Sequence, residues 1–315
     1  MVSVVVATRE RPARLAALLD SLRDQRVPAA DFEVIVVDDA SSDGSPAAVE
    51  REQRSGGSPV RFLRRGRRGG PGAARNDGWR EARAPLVAFI DDDCTASPDW
   101  LVAGLSAAKR WPGSVVQGRT DPAPAELGLL GPFSHTQQVH SAGPRYETCN
   151  IFYPRELLER LGGFDAHAYR QGGEDTDLAW RALEAGVAVE YCDDARVFHA
   201  VVRVGPIGKL RMATRFAEAV QLYPRHPDLR QAQLTFGVFW SGSHYLLVRA
   251  LLALVLPRRL WPVRRWLAFP YLLHMLARGR EEGGGLVHAP YFALYDAVEL
   301  VIVLRGALRY RTLVL

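Results

Sequence analysis

Cysteine and lysine are both scarce in this chain of 315 residues. The three cysteines, Cys94, Cys149 and Cys192, are odd in number and form no CxxC pair. This argues against a disulfide framework or a cysteine zinc site and favours a reducing compartment. Lysine occurs at only two positions, so arginine supplies nearly all of the positive charge. No signal peptide is recognisable, because a charged Arg-Glu-Arg run interrupts the first apolar segment, and we expect a cytoplasmic location.

Two common nucleotide-binding motifs are also missing. The chain has neither a P-loop ending in GK[ST] nor a GxGxxG fingerprint with the correct spacing. The net charge is +5 and the isoelectric point is about 9.3, which suits anionic partners such as phosphates, anionic lipid or nucleic acid. Because both motifs are missing, any nucleotide site must be built from other residues.

Apolar runs typical of buried strands alternate with helical patterns through the first two thirds of the chain. Val2–Ala7, Val34–Val37 and Leu86–Ile90 are apolar without alternation, as in strands covered on both faces of a parallel sheet. Segments with apolar residues at helical spacing separate them, and a loop from Ala40 to Ser45 is expected to lead into one such helix. The order predicts a doubly wound α/β domain with a mostly parallel sheet.

Carboxylates stand directly after two of these predicted strands, as Asp38–Asp39 and as Asp91–Asp93. Three adjacent acids cannot belong to the core, because unpaired buried charge is very costly. In an open sheet both clusters fall at the same edge, around one crevice. Their oxygens suit a hard divalent cation such as Mg²⁺ or Mn²⁺. A solvated acidic turn is the competing interpretation for either cluster alone.

Three further features could contribute to the same crevice. The loop Arg64–Asn76 is rich in Gly and Arg, which lets a backbone approach an anionic ligand at a helix start, although a basic surface loop is the alternative. Glu174 and Asp175 open a predicted helix, where the macrodipole alone could explain the acids. His199 follows a strand-like run; a lone histidine is more often structural, but beside carboxylates it is a candidate metal ligand.

Seven stretches, taken in order, resemble inverting family 2 glycosyltransferases of the GT-A fold. They span about residues 2–200 and read VSVVVATRERPARLAALLDSL, VIVVDDASSDGS, GPGAARNDG, FIDDDC, NIFYPRELLERLGGFD, GEDTDLAWR and VFHA. The first stretch departs from the family's usual proline-threonine-tyrosine-asparagine turn, having Ala7–Thr8–Arg9–Glu10 instead.

The resemblance implies roles for individual residues. The nucleotide-sugar site is expected to comprise Thr8, Arg9, Glu10, Asp38, Asp39, Arg75, Asp91 and Asp92. Asp91 and Asp93 match the DxD motif, and the expected ligands of the Mg²⁺ or Mn²⁺ ion are Asp93, Asp91 and His199. Asp175, in the pair with Glu174, matches the general base.

The implied reaction moves a sugar from a nucleoside-diphosphate sugar to a hydroxyl of a glycan, a lipid-linked acceptor or a small molecule, with inversion. A metal-dependent nucleotidyltransferase is one alternative, but it leaves the GEDTDLAWR helix unexplained. A catalytically silent nucleotide- or glycan-binding protein is another, and the intact acidic set argues against it. Nucleic-acid binding is disfavoured, because the arginines are scattered and the predicted cleft is acidic.

The last third of the chain has mainly helical patterns, so we expect a catalytic domain at 1–204 and a helical region at 205–315. Phe236–Leu256 is nearly long enough to span a bilayer, but Arg249 interrupts it. Three interpretations stay open: a helical subdomain that packs on the catalytic domain or in a homo-oligomer, helices lying on the inner face of an anionic membrane, and spanning helices. Arg249, Asp296 and Glu299 disfavour the last.

Overall fold

The computed structural model describes residues 1–42, 49–50, 60–281 and 285–315. These residues form two compact units, one of Met1–Gly128 with Thr136–Val201 and the other of Leu129–His135 with Val202–Leu315. The predicted helix after the Ala40–Ser45 loop lies mostly outside the described residues, as does the end of that loop. The domain boundary expected near residue 204 stays a prediction.

The first unit is built on one eight-stranded sheet. Its strands are β1 (Val2–Thr8), β2 (Phe32–Asp38), β3 (Val60–Arg64), β4 (Leu86–Ile90), β5 (Cys94–Ala96), β6 (Val115–Pro122), β8 (Asn150–Pro154) and β9 (Val189–His199). They lie in the order β3-β2-β1-β4-β8-β6-β9-β5. β1 pairs in parallel with β2 and β4, β2 with β3, and β6 with β9, whereas β8 is antiparallel to both neighbours. The predicted mostly parallel α/β sheet is confirmed.

Helices cover both faces of this sheet. They are α1 (Pro12–Arg23), α2 (Pro71–Arg80), α3 (Trp100–Arg110), α4 (Arg155–Leu161) and α5 (Glu174–Glu184). Side chains alternate along β1, so that Val4 and Val6 join one buried cluster, with leucines of α1 and Trp100 of α3. Val5 joins the other cluster, with residues of α2, α4 and α5. This two-sided burial is why the strands lack polar alternation.

The topology brings the chemically important chain segments to one edge of the sheet. β1, β2 and β4 run in parallel, so the residues after Thr8, Asp38 and Ile90 emerge on the same side. β5 follows the acidic cluster directly and pairs antiparallel with β9, with Cys94 opposite His199. The Ala200 N–H donates to the carbonyl oxygen of Asp93 at 2.8 Å. The end of β9 is therefore held beside the end of β4.

The second unit contains a two-stranded ribbon and a set of helices, which confirms a helical C-terminal region. The ribbon pairs β7 (Ser134–His135) with β10 (Val202–Arg203), and the helices are α6 (Gly205–Met212), α7 (Phe216–Ala219), α8 (Leu222–Arg225), α9 (Pro227–Gln233), α10 (Gly242–Val255), α11 (Trp261–Glu281) and α12 (Ala289–Arg309). Among the described residues, Leu286–Arg309 is long and apolar enough to cross a membrane by length and composition. Its acids face protein partners: Asp296 accepts from Arg278 at 2.8 Å, and Glu299 lies 3.3 Å from His244.

A buried amide ties the centre of the sheet to α3. Asn150 is fully buried at the start of β8. Its Nδ2 donates to the carbonyl oxygens of Arg119 and Ala195 at 2.8 and 2.7 Å, and its Oδ1 accepts from Trp100 Nε1 at 2.8 Å. One side chain thus satisfies polar groups from β6, β9 and α3 in a place that water does not reach.

We predict that Asn150→Leu lowers the free energy of unfolding by about 3–5 kcal/mol, because three polar groups would lose their partner at roughly 1–3 kcal/mol each. Trp100→Phe leaves only the Asn150 carbonyl oxygen without a partner and opens a small cavity, so a smaller loss of about 1–3 kcal/mol is expected. Urea unfolding of the two variants measures both. An Asn150→Leu midpoint equal to that of the wild type would contradict this role.

Candidate active site

The end of β1 is joined to the end of β4 through Asp92. The Thr8 hydroxyl donates to Asp92 Oδ2 at 2.8 Å, and the Arg9 backbone N–H approaches the same oxygen at 3.4 Å. Asp92 is only 5% exposed, and burial raises its pKa to about 6, although the charge of Arg11 opposes the shift. This carboxylate mainly holds the protein's own loops together.

Arg11 is a site residue that the sequence analysis missed. Its Nη1 donates to Asp92 Oδ1 at 3.0 Å and to Asp93 Oδ2 at 2.7 Å, and the side chain is about half exposed. A single guanidinium therefore neutralises two adjacent carboxylates at the mouth of the site. The available signal was its position three residues after a strand that ends beside the acidic cluster.

Asp93 and His199 form a pair suited to a divalent cation. His199 Nδ1 lies 2.8 Å from the Ala200 carbonyl oxygen, which can only accept, so Nδ1 carries the proton. Nε2 lies 3.4 Å from Asp93 Oδ1 and is the ring nitrogen that could ligate a cation. A ligand atom of Cys94 also lies within 4.8 Å of both. Burial raises the pKa of the Cys94 thiol well above its usual range, and soft sulfur is a poor ligand for Mg²⁺ or Mn²⁺.

A second line of contacts runs through the buried guanidinium of Arg75 on α2. Its Nη2 donates to Asp91 at 2.7 Å, and its Nη1 donates to Glu174 at 2.9 Å. Arg75 and Glu174 are 6% and 4% exposed, so the pair is desolvated, whereas the side chain of Asp91 is 29% exposed. Burial and the neighbouring Asp175 raise the pKa of Glu174, and Arg75 opposes that shift.

Asp175 lies beside this pair at the start of α5. Its Oδ1 accepts from the Thr176 backbone N–H at 2.8 Å, and the residue is partly exposed. Burial raises the pKa of Asp175; the charge of Arg75 lowers it, and that of Asp91 adds to the rise. A carboxylate with a raised pKa is a better proton acceptor, so Asp175 has the chemistry of a general base.

Asp38 and Asp39, at the end of β2, contact the protein's own backbone. Asp38 is fully buried and accepts from the Ser41 N–H at 3.1 and 3.3 Å. The two oxygens of Asp39 accept from the N–H groups of Gly69 and Gly70, both at 2.8 Å. Asp39 therefore fixes the Gly-rich loop that precedes α2 and Arg75.

Glycine is required at the end of that loop. Gly70 has a φ of +88°, in the left-handed region. A Cβ at this position would lie 2.9 Å from the carbonyl oxygen of Arg170.

The turn after β1 places its polar side chains at the rim. Glu10 has a φ of +53°, and its N–H donates to the Ser41 hydroxyl at 2.9 Å. Its carboxylate is about half exposed and lies 3.5 Å from the Arg9 guanidinium. Among the predicted residues, Thr8, Asp92, Asp93 and His199 thus form one line of contacts, and Asp91, Arg75 and Glu174 form another with Asp175 alongside. The run Asp91–Asp93 joins the two lines.

The sequence profile described as "Glycosyl transferase family 2" matches residues 3–164, more than half of the chain. The chain belongs to this family. A second profile, described as "N-terminal domain of galactosyltransferase", matches residues 132–202. The protein is therefore a glycosyltransferase, and the resemblance stated from its motifs is confirmed.

Curated relatives carry related names. Glycosyltransferase AglE of Haloferax volcanii is 26% identical over 217 residues, which is 66% of this chain and 69% of that protein. Pre-mycofactocin glycosyltransferase of Mycobacterium tuberculosis is 32% identical over 240 residues, which is 72% of this chain. The match spans only 48% of the mycobacterial protein.

Solved structures establish the GT-A fold of this family 2 enzyme. Mannosyltransferase PcManGT of Pyrobaculum calidifontis, in complex with GDP-Man and Mn²⁺, superposes with a TM-score of 0.62 at 22% identity, over 98% of this chain and 86% of that one. TarS 1-349 of S. aureus, in complex with UDP, gives 0.55 at 19% identity, over 98% and 91%. At these identities the likeness concerns the fold alone.

We predict that Arg75→Met lowers the free energy of unfolding by about 3–5 kcal/mol, because it leaves the buried carboxylate of Glu174 without its cation. The double variant Arg75→Met with Glu174→Leu removes both charges and should regain part of that loss. Urea unfolding of the single and double variants gives the coupling directly. An additive double variant would show that the two side chains do not stabilise each other.

Proposed function

We propose that this glycosyltransferase moves a sugar from a nucleoside-diphosphate sugar to an acceptor hydroxyl, with inversion and with the help of a divalent cation. The observation that carries the proposal is the partly exposed Asp175 at the start of α5, next to the buried Arg75–Glu174 pair that also binds Asp91. Similar structures hold GDP-Man with Mn²⁺, UDP and UDP-GlcNAc, which supports a donor of this class. Family membership favours glycosyl transfer over the nucleotidyl-transfer and silent-binding alternatives.

Asp175 is the better candidate for the general base than its neighbour Glu174. Glu174 is 4% exposed and its Oε1 is engaged by Arg75, whereas Asp175 is partly exposed. Asp175 would take the proton of the acceptor hydroxyl as that oxygen attacks the anomeric carbon, and the nucleoside diphosphate leaves from the opposite face. A single displacement inverts the centre and needs no nucleophilic carboxylate, unlike the paired acids of retaining glycosidases.

The predicted nucleotide-sugar residues would act in two ways. Asp91, Arg9 and Glu10 are partly exposed at the mouth of the site and are available for direct contacts. The carboxylates of Asp38, Asp39 and Asp92 would act mainly by fixing the loops that bind the donor, since each accepts hydrogen bonds from the protein's own backbone or side chains. Thr8 and Arg75 would hold Asp92 and Asp91 in place.

Asp93 and His199 are the residues that would hold Mg²⁺ or Mn²⁺, with Asp91 nearby as the other acid of the DxD motif. The proton on His199 Nδ1 leaves Nε2 in the form that ligates a metal. A bound divalent cation would neutralise the charge that develops on the diphosphate leaving group. Arg11 binds Oδ2 of Asp93 at 2.7 Å, whereas Oδ1 faces His199, so the guanidinium would act on a cation held at Oδ1 as a neighbouring positive charge.

A cytoplasmic location, contact with the inner face of a membrane and a homo-oligomer stay predictions. The identity of the acceptor is likewise open among a glycan, a lipid-linked molecule and a small molecule.

The general-base assignment is tested with Asp175→Asn. We expect nucleotide release from the donor to slow by about 10²–10⁴-fold, because the attacking hydroxyl loses its proton acceptor, while donor affinity stays unchanged. The donor is first identified by assaying UDP-, GDP- and dTDP-sugars for nucleotide release. The exposed Asp20→Asn serves as the matched control. Wild-type turnover in Asp175→Asn would remove this residue from the role.

The cation assignment is tested by Mn²⁺ binding in the absence of donor, followed by electron paramagnetic resonance. Asp93→Asn should weaken binding, and Arg11→Gln should tighten it by about tenfold, because a positive charge next to the cation is removed. Arg9 lies in the same turn, and its guanidinium contacts Glu10. Arg9→Gln also removes one positive charge, but its effect on Mn²⁺ binding should be smaller than that of Arg11→Gln.

Chelation should abolish activity, and Mn²⁺ or Mg²⁺ should restore it. Full activity in chelator, or no change in Arg11→Gln, would contradict the assignment.

A further inference from the structure

The second unit presents an apolar surface at the end of a helical hairpin. Helices α10 and α11 run antiparallel, since Ser243 contacts His274 at 2.6 Å and Arg249 donates to the Trp266 carbonyl at 3.3 Å. Their connected ends expose large apolar side chains, and we call residues 251–269 the hairpin end. Six of these side chains are more than half exposed, namely Leu252, Leu254, Val255, Trp261, Trp266 and Phe269.

The chain segment that forms this surface carries charge of one sign. The chain contains no Asp or Glu from Leu229 to Arg280. Arg258 and Arg259 lie exposed in the connection between the two helices. Arg249 stacks over the Trp266 ring at 4.5 Å, and another arginine, at 265, stacks over the Trp261 ring at 5.5 Å. The hairpin end therefore combines exposed tryptophan and aliphatic side chains with arginines, and its own segment of chain contains no acid.

The exposed apolar and basic side chains of the hairpin end restrict the kind of partner that this surface can bind. Monomeric proteins rarely leave a large contiguous apolar patch in water. A second copy of the chain would bring two unneutralised arginine clusters together, which opposes self-association through this surface. An anionic bilayer offers an apolar interior, negative headgroups and an interfacial zone in which tryptophan and arginine are both favoured.

The length of α10 decides how the hairpin end would meet a bilayer. α10 has 14 residues, fewer than the roughly 20 that a spanning helix needs. α11 has 21 residues, but it contains Pro270 and is bordered by arginines on both sides. A hairpin of this kind dips into the headgroup region and does not cross the hydrocarbon core.

We propose that the hairpin end docks the protein on an anionic membrane surface, with Trp261, Trp266 and the leucines of α10 inserted among the headgroups. Arg258 and Arg259 contact the anionic lipid. This docking is independent of sugar transfer, so it is measured without donor, and its failure leaves the proposed catalytic function untouched.

The test is flotation of the full chain with phosphatidylcholine vesicles that either contain or lack phosphatidylglycerol. We expect binding only to the anionic vesicles. Arg258→Gln with Arg259→Gln should lower the partition coefficient by about 30-fold, given the usual contribution of each basic residue. Trp261→Ser with Trp266→Ser should lower it by about 100-fold, because two large apolar side chains no longer insert.

A matched control and a second readout keep the test independent of folding. Ile207→Ser alters a side chain of the same unit that is 65% exposed but lies outside the hairpin end, and it should change binding by less than about threefold. Circular dichroism checks that each variant is folded. Brominated acyl chains should quench the fluorescence of the wild type on anionic vesicles and should not quench that of the tryptophan variant.

Three results would overturn the proposal. The first is no binding to either vesicle. The second is binding that is lost in salt and in the arginine variant but unchanged in the tryptophan variant, which would show adsorption without insertion. The third is a dimer in gel filtration that the tryptophan variant abolishes while vesicles bind nothing, which would assign this surface to a second copy of the chain.

Discussion

The site depends on how three consecutive carboxylates are kept together at the end of β4. Like charges on Asp91, Asp92 and Asp93 repel one another in a place that is partly withdrawn from water, and each would be costly without a partner. Two arginines neutralise these carboxylates from different sides. Arg75 approaches from α2 and engages Asp91, and Arg11 approaches from the turn after β1 and engages the other two. The contacts that neutralise these acids therefore also set the geometry of the candidate active site.

The acids differ in their roles because neighbouring residues point in different directions. Asp92 turns toward Thr8 and is nearly buried, while Asp91 keeps some exposure and Asp93 faces His199. Asp39 similarly turns toward the Gly-rich loop. The number of carboxylates in a motif does not reveal that they make different contacts. Because Asp92 and Asp39 are bound to the protein's own loops, Asp93 and His199 remain as the candidate cation site.

Much of this arrangement follows from local sequence, and the rest depends on contacts between distant residues. The apolar runs of β1, β2 and β4 and the acids after β2 and β4 are local patterns, so the sheet and the position of the acidic edge were predictable. Arg11 is 82 residues away from Asp93, and no periodicity links the two. The short strand β5 was also missed, because its three residues become a strand only by pairing with β9.

The second unit distributes its charges by the same physical rule as the first. Its two buried acids on α12, Asp296 and Glu299, lie against Arg278 and His244 inside the helical packing. The arginines of the hairpin end have no acid within the same stretch of chain and remain at the surface beside exposed tryptophans. Internal neutralisation of the acids leaves an excess of positive charge on one apolar surface. A chain that only needed to stay soluble would gain from acids interspersed among these arginines, so their absence over more than fifty residues favours an anionic partner at this surface.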